Sequence, residues 1–344
     1  MIKEKIMRNV ILPLGVSPII TYTNYAYPIS SFCYDNKYDN WFFSNYVNLT
    51  MVETNTDIKL NFISGDAFGG VKPLQYKKNT HVINIIEELF DKLSDGWYVY
   101  TYVNYKYINH DHNIYHNILV YGIDMDKNLI YVAGYNFKNF NQYQEFTVSI
   151  NDFDRAYNDE NNKNKNRVIF WKPRNKKEEF LYDDFKLQLT DYMSSKFTIS
   201  ELEHYYYNID KMTTATGKLM DNLIIDGHTN HHYIYGMACA ENLKHSIIHN
   251  EDHFEFDLRL FRSYWEHKQM MKLRFQFFKD EKIYPFDMTP FIETSADIEK
   301  KARLLFNYLI KCKMTNKMPE NISTYIDEIT LKEERCYHKL LSLI

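Results

Sequence analysis

A thiol and an imidazole on one chain can together form a nucleophile, and this sequence offers such a pair. Cys33 stands in "PISSFCYDNKYDNWFFSNYVNL", behind a polar lead-in and ahead of Trp41, Phe42, Phe43, Tyr46, Val47 and Leu49. That apolar spacing predicts a buried helix beginning near the cysteine. The free N–H groups and dipole of a helix N-terminus favour a thiolate, and a backbone N–H of the same turn could hold an oxyanion. The competing reading is a small buried hydrophobe. Far downstream, His116 opens the strand-like run "HNILVYGID", where a sheet would hold the ring. A third group that orients the imidazole belongs near the end of the neighbouring strand. "LIYVAGYNF" supplies Asn136 there, with Asp124 and Asp126 in the turn between. His110 and His112, in "NHDHNIY", read as a solvated loop; without a matching second cluster no metal site is expected.

These residues need a frame. "THVINIIEELFDKLSDG" has apolar residues at helical spacing, with Thr80 as N-cap and Gly96 as stop. "WYVYTYVNY", "HNILVYGID" and "LIYVAGY" are β-branched and aromatic and read as strands. "GIDMDKNL" reads as the hairpin turn between the last two. "SINDFDRAYN" is a strand end passing into a capped helix, and "NDENNKNKNR" is a polar, mobile loop. After "VIFWKP" the texture turns helical: "FKLQLTDYMSS", "ISELEHYYYNIDKM", "HHYIYGMACAENLKHSII", "DLRLFRSYWEHKQMMKLRFQFF" and "ADIEKKARLLFNYLIKCKM". The expected organisation is α+β, an antiparallel sheet packed on a helix carrying the cysteine in 1–172, followed by a helical domain in 173–344.

Composition narrows the field. The 344 residues suffice for one large core or two small ones, and a net charge of −4 leaves no nucleic-acid footprint. No apolar run reaches the roughly 18–20 residues of a membrane span, and the N-terminus lacks the core and cleavage site of a signal peptide. Four scattered cysteines without a CxxC pair fit a reducing cytoplasm rather than a disulfide framework. Aromatics make up 17%, with 30 tyrosines, a bias that an AT-rich genome also produces. The Tyr-rich runs "NYAY", "YTYVNY" and "YYYNIDK" are candidates to line a groove. Asp257, Arg259, Arg262, Glu266 and His267 have the spacing of a salt-bridged helix face.

The stretch from Gly96 to Tyr157 resembles a family of papain-like cysteine protease homologues found in natural-product biosynthesis. Its marks are an aromatic "YKYI", a His opening "LVYGID", then "IYVA" and "FKN". The family includes the butirosin acyl-transfer N-terminal domain, the amide synthetases of the closthioamide type and, more distantly, double-glycine leader peptidases. "DLRLFRSYWEHKQMMKLRFQFF" is similar to its long helix. The resemblance implies a papain-like fold and an ATP-independent amide synthetase without cofactor. An acyl chain of polythioamide type would pass from a carrier-protein thioester to Cys33, with His116 as base, and then to a small amine or diamine. Relatives carry Asp where this chain has Gly134, so Asn136 is the substitute third member. The oxyanion position falls on Tyr27, where the peptidases have Gln, with Asn24 assisting; Asp35 is a candidate for holding the amine. A leader-type peptidase and a catalytically silent binding or self-resistance protein are the alternatives.

Overall fold

The computed structural model describes residues 8–53, 58–63, 71–79, 82–108, 113–136, 142–165, 167–198, 232–250 and 253–344. The chain is mixed α/β, with an antiparallel sheet and a helical C-terminal region. It forms two compact units: Met1–Tyr38 with Val71–Lys177, and Asp39–Gly70 with Glu178–Ile344. This differs from the expected division at residue 172. β1 (Asn9–Ile11) and α1 (Thr23–Ser30) belong to the first unit, whereas α2 (Asp39–Ser44), β2 (Asn48–Glu53) and β3 (Ile58–Ile63) belong to the second.

The first unit is built on β4 (Leu74–Asn79), β5 (Tyr98–Asn104), β6 (Tyr115–Asp124), β7 (Leu129–Asn136), β8 (Gln142–Ser149) and β9 (Val168–Pro173). They run in the order β4-β9-β5-β6-β7-β8, and β1 joins β6 to complete a seven-stranded sheet. Strand alternation gives this sheet two unlike faces. Val99, Val103, Ile118, Val120, Ile130, Val132, Val148 and Val168 cluster on one face, with Leu89 and Leu93 of α3 (Ile85–Ser94), Tyr105 of α4 (Tyr105–Ile108) and Phe153 of α5 (Ile150–Tyr157). Each such side chain contributes about 1.5–3 kcal/mol on burial. The other face is aromatic. Tyr76, Trp171 and Tyr98 form one cross-strand row, Tyr102 lies opposite Asn117, and Tyr135 lies opposite Tyr143. α1 covers this face, with Tyr27 6.0 Å from Tyr100 and 5.9 Å from Tyr143 between ring centres.

Local chemistry explains the boundaries. α3 starts later than expected because Asn84, not Thr80, is the cap, its side chain accepting from Ile86 and Glu87 N–H; Thr80 lies outside the described residues. Gly96 ends that helical stretch at φ +80°. The hairpin forms as expected, Asp124 Oδ1 accepting from the N–H of Asp126 and Lys127. Ser149 caps α5. The polar loop after α5 is pinned rather than loose: Asn162 is buried, and its amide donates to the carbonyls of Tyr102 and Tyr157 at 2.9 and 3.0 Å.

In the second unit the helix expected after Cys33 amounts to α2 alone. Tyr46 takes a left-handed φ of 58°, and β2 follows. The bend is held from α8 (Leu258–Asp280): buried Arg274 donates to the carbonyls of Phe43 and Tyr46, and His267 Nε2 to that of Val47. "HHYIYGMACAENLKHSII" is not one helix. It gives β10 (His232–Tyr235), which pairs with β2, then a turn at Gly236 and α7 (Ala238–His245). Gly236, at φ +57°, presses on the Tyr192 carbonyl of α6 (Tyr182–Ser194), leaving no room for a Cβ. α9 (Thr289–Thr315) and α10 (Ile322–Leu341) complete the unit. "ISELEHYYYNIDKM" and "YYYNIDK" lie outside the described residues. Among the described residues no helix is long and apolar enough to cross a membrane.

Candidate functional site on the tyrosine face

Cys33 is not at a helix N-terminus. It follows the C-terminus of α1, its N–H donating to the Ile29 carbonyl at 2.9 Å. This corrects the expected helix carrying the cysteine. Pro28 reads as part of a lead-in, yet α1 runs through it; in a helix of eight residues Pro28 forfeits only the bond to the Asn24 carbonyl. The dipole therefore presents its negative end to the sulfur, which does not favour a thiolate. Cys33 is half-buried, whereas Cys239, Cys312 and Cys336 are buried. Gly15 packs against it, since a Cβ there would lie 2.6 Å from Sγ. Burial raises the pKa of Tyr98 and of Tyr143, and nearby Cys33 adds a smaller push in the same direction. Both tyrosines belong to the aromatic face.

His116 has a different address. It lies opposite Val103, a position of the aliphatic face. Its ring sits between Tyr105 and Tyr135, with centres at 6.1 and 5.9 Å. Burial lowers its pKa, opposed by a bond to the Asn117 carbonyl. That carbonyl can only accept, so Nδ1, at 3.1 Å, carries the proton. The same oxygen accepts from Tyr27 at 3.0 Å and from Tyr105 at 3.4 Å. The ladder explains this convergence. β6–β7 pairing stops at Leu119 and Ala133, while β7–β8 pairing continues to Asn136 and Gln142. Where β6 and β7 part, tyrosine hydroxyls take up the strand's acceptor.

Gly134 lies at this opening. A Cβ on it would be 2.6 Å from the Tyr105 hydroxyl and 3.5 Å from that of Tyr27. The place where the resemblance implies a carboxylate is therefore filled by phenols. Asn136 closes β7 opposite Gln142; its side chain lies outside the described residues, as do His110 and His112. Tyr27 and His116 do meet, at the Asn117 carbonyl. Asn24 occupies the first turn of α1. Asp35 is engaged locally, accepting from Lys37 N–H and pairing with Lys37 Nζ at 2.8 Å, and that hydrogen-bonded pairing lowers its pKa.

The aromatic face itself is chemically uniform. Burial raises the pKa of Tyr27, Tyr100 and Tyr143, so their hydroxyls remain protonated at neutral pH. Tyr143 meets Ser30 Oγ at 3.2 Å, and Tyr135 donates to the Thr21 carbonyl at 2.7 Å. Asn117 Oδ1 is buried without a hydrogen-bond partner among the described residues. Asn117 is the member that the sequence did not single out, whereas Tyr105 closes the run "YTYVNY" named as a candidate groove lining. Among the described residues no three His, Cys, Asp or Glu side chains gather as metal ligands. No model of a known protein family matches the chain, and no curated protein matches it.

Proposed function

We propose that the first unit is a small-molecule-binding domain of papain-like descent in which the partly exposed Tyr102, Tyr135 and Tyr143, at the margin of the tyrosine face, take a flat, hydrogen-bonding ligand without Cys–His catalysis. The observation that carries this reading is the position of Cys33 after the C-terminus of α1, beside the aromatic face, with the place of an orienting carboxylate at Gly134 filled by the Tyr105 hydroxyl. Phenol rings give stacking area at small entropic cost, and Asn117 Oδ1 offers an unmet acceptor. Free cysteines accord with a cytoplasmic setting. The test is a titration of the whole chain with 4-hydroxybenzamide, followed by tyrosine fluorescence. Saturable binding should weaken about tenfold in Tyr143→Ala, the loss of roughly one aromatic pair. Absence of saturation, or an unaffected Tyr143→Ala, overturns the reading.

The second reading is the acyltransferase implied by the resemblance: a carrier-protein thioester acylates Cys33, and an amine or diamine takes the acyl group. One observation favours it. Cys33 is the cysteine that is not buried, and it adjoins the aromatic face on which an aryl-ended chain could lie. That reading requires an acyl adduct on wild-type protein that Cys33→Ala cannot form.

A further inference from the structure

In the second unit α8 ends beside a cleft of about 320 Å³, within the range of small-ligand sites. Its apolar lining is Phe278, Tyr284, Phe286 and Met288; its cations are Lys279 and Lys282. Tyr284 and Phe286 are stacked at 5.5 Å and 17°, and Phe278 meets Tyr284 edge-on at 5.3 Å. The rings thus form a rigid wall. Asp287 also lines the cleft, but its carboxylate is engaged just ahead of α9, accepting from Thr289 N–H at 2.9 Å. Lys279 donates to Thr289 Oγ1 at 3.1 Å and keeps two further protons.

Lys282 is the informative residue. It holds φ +53° at the position after the C-cap, where Ile283 N–H reaches back to the Phe278 carbonyl at 3.0 Å. Glycine is the usual occupant of that left-handed position, because a Cβ there is strained. Lys282 thus stands where glycine is usual, lining the aromatic cleft beside a second lysine, and both lysines are exposed.

We infer that this cleft binds a small aromatic carboxylate, its ring against Tyr284 and Phe286 and its anion between Lys279 and Lys282. The site is independent of the tyrosine face of the first unit. The test is calorimetric titration of the whole chain with sodium benzoate against benzyl alcohol at constant ionic strength. Benzoate should bind saturably and at least tenfold more tightly than the alcohol. Lys282→Gly should weaken benzoate about tenfold while leaving the thermal midpoint unchanged or raised, since glycine suits that backbone. Lys279→Gln should weaken it further, and Tyr143→Ala should have no effect. Equal affinity for acid and alcohol, or full affinity in Lys282→Gly, overturns the inference. So does a loss in Tyr143→Ala alone.

Discussion

At Gly134 a missing side chain decides what the neighbouring residues can do. The Tyr105 hydroxyl occupies the space that a carboxylate would need, and it shares the Asn117 carbonyl with Tyr27 and His116. Gly134→Ala should therefore destabilise the chain by about 1–3 kcal/mol through overpacking. In a Tyr105→Phe background, where the clashing oxygen is gone, the cost should fall to about half or less. Urea unfolding of the four proteins measures this, and equal costs in both backgrounds would place the strain elsewhere. The sequence made Gly134 visible as a departure from a pattern. It did not show what fills the gap, because Tyr105 reaches it only through the parting of β6 and β7. Cys33 was misplaced for a local reason: proline is a poor guide to a helix start when the helix is short enough to carry it.

Among the elements, those with strong periodicity were legible: α3, the three central strands, α5, α8 and α9. β10 was not, since "HYIY" is short and apolar and its partner β2 lies far away in sequence. Tertiary contacts of that kind also hold the helices of the second unit. Lys268, fully buried on α8, pairs with Glu333 of α10 at 2.7 Å and donates to Tyr192 of α6 at 2.8 Å. Glu333 also accepts from Tyr337 at 3.0 Å, and Lys268 lies 3.3 Å from His267 Nδ1. Burial pulls the Lys268 pKa down, and Glu333 opposes it. Lys268→Met strands a buried carboxylate and should cost about 3–5 kcal/mol. Lys268→Met with Glu333→Leu should recover most of that loss. Urea midpoints followed by helical circular dichroism compare the two; a double variant no more stable than the single one would mean that packing, not charge, binds these helices.

At the scale of the whole molecule, the chain leaves the first unit after Tyr38, contributes α2, β2 and β3 to the second, and returns at Val71. A linear reading could see a change of texture near residue 172. It could not see that an early segment pairs with a late strand. The same distinction separates what the residues near Cys33 and His116 suggest from what the sheet does with them. Strand alternation ties Tyr98, Tyr100 and Tyr102 to one face and registers His116 to the other, yet the His116 ring reaches Tyr135 where β6 and β7 part. It is the place of Cys33, past the C-terminus of α1, that leaves the thiol without dipole support. The most direct measurement is intact mass spectrometry of the whole chain after exposure to a benzoyl N-acetylcysteamine thioester, comparing wild type, His116→Ala and Cys33→Ala. The expected result is that wild type and His116→Ala acquire any Cys33 adduct at the same slow rate. A rapid adduct in wild type that is lost in both variants would contradict a binding role for the tyrosine face and establish the cysteine as a nucleophile.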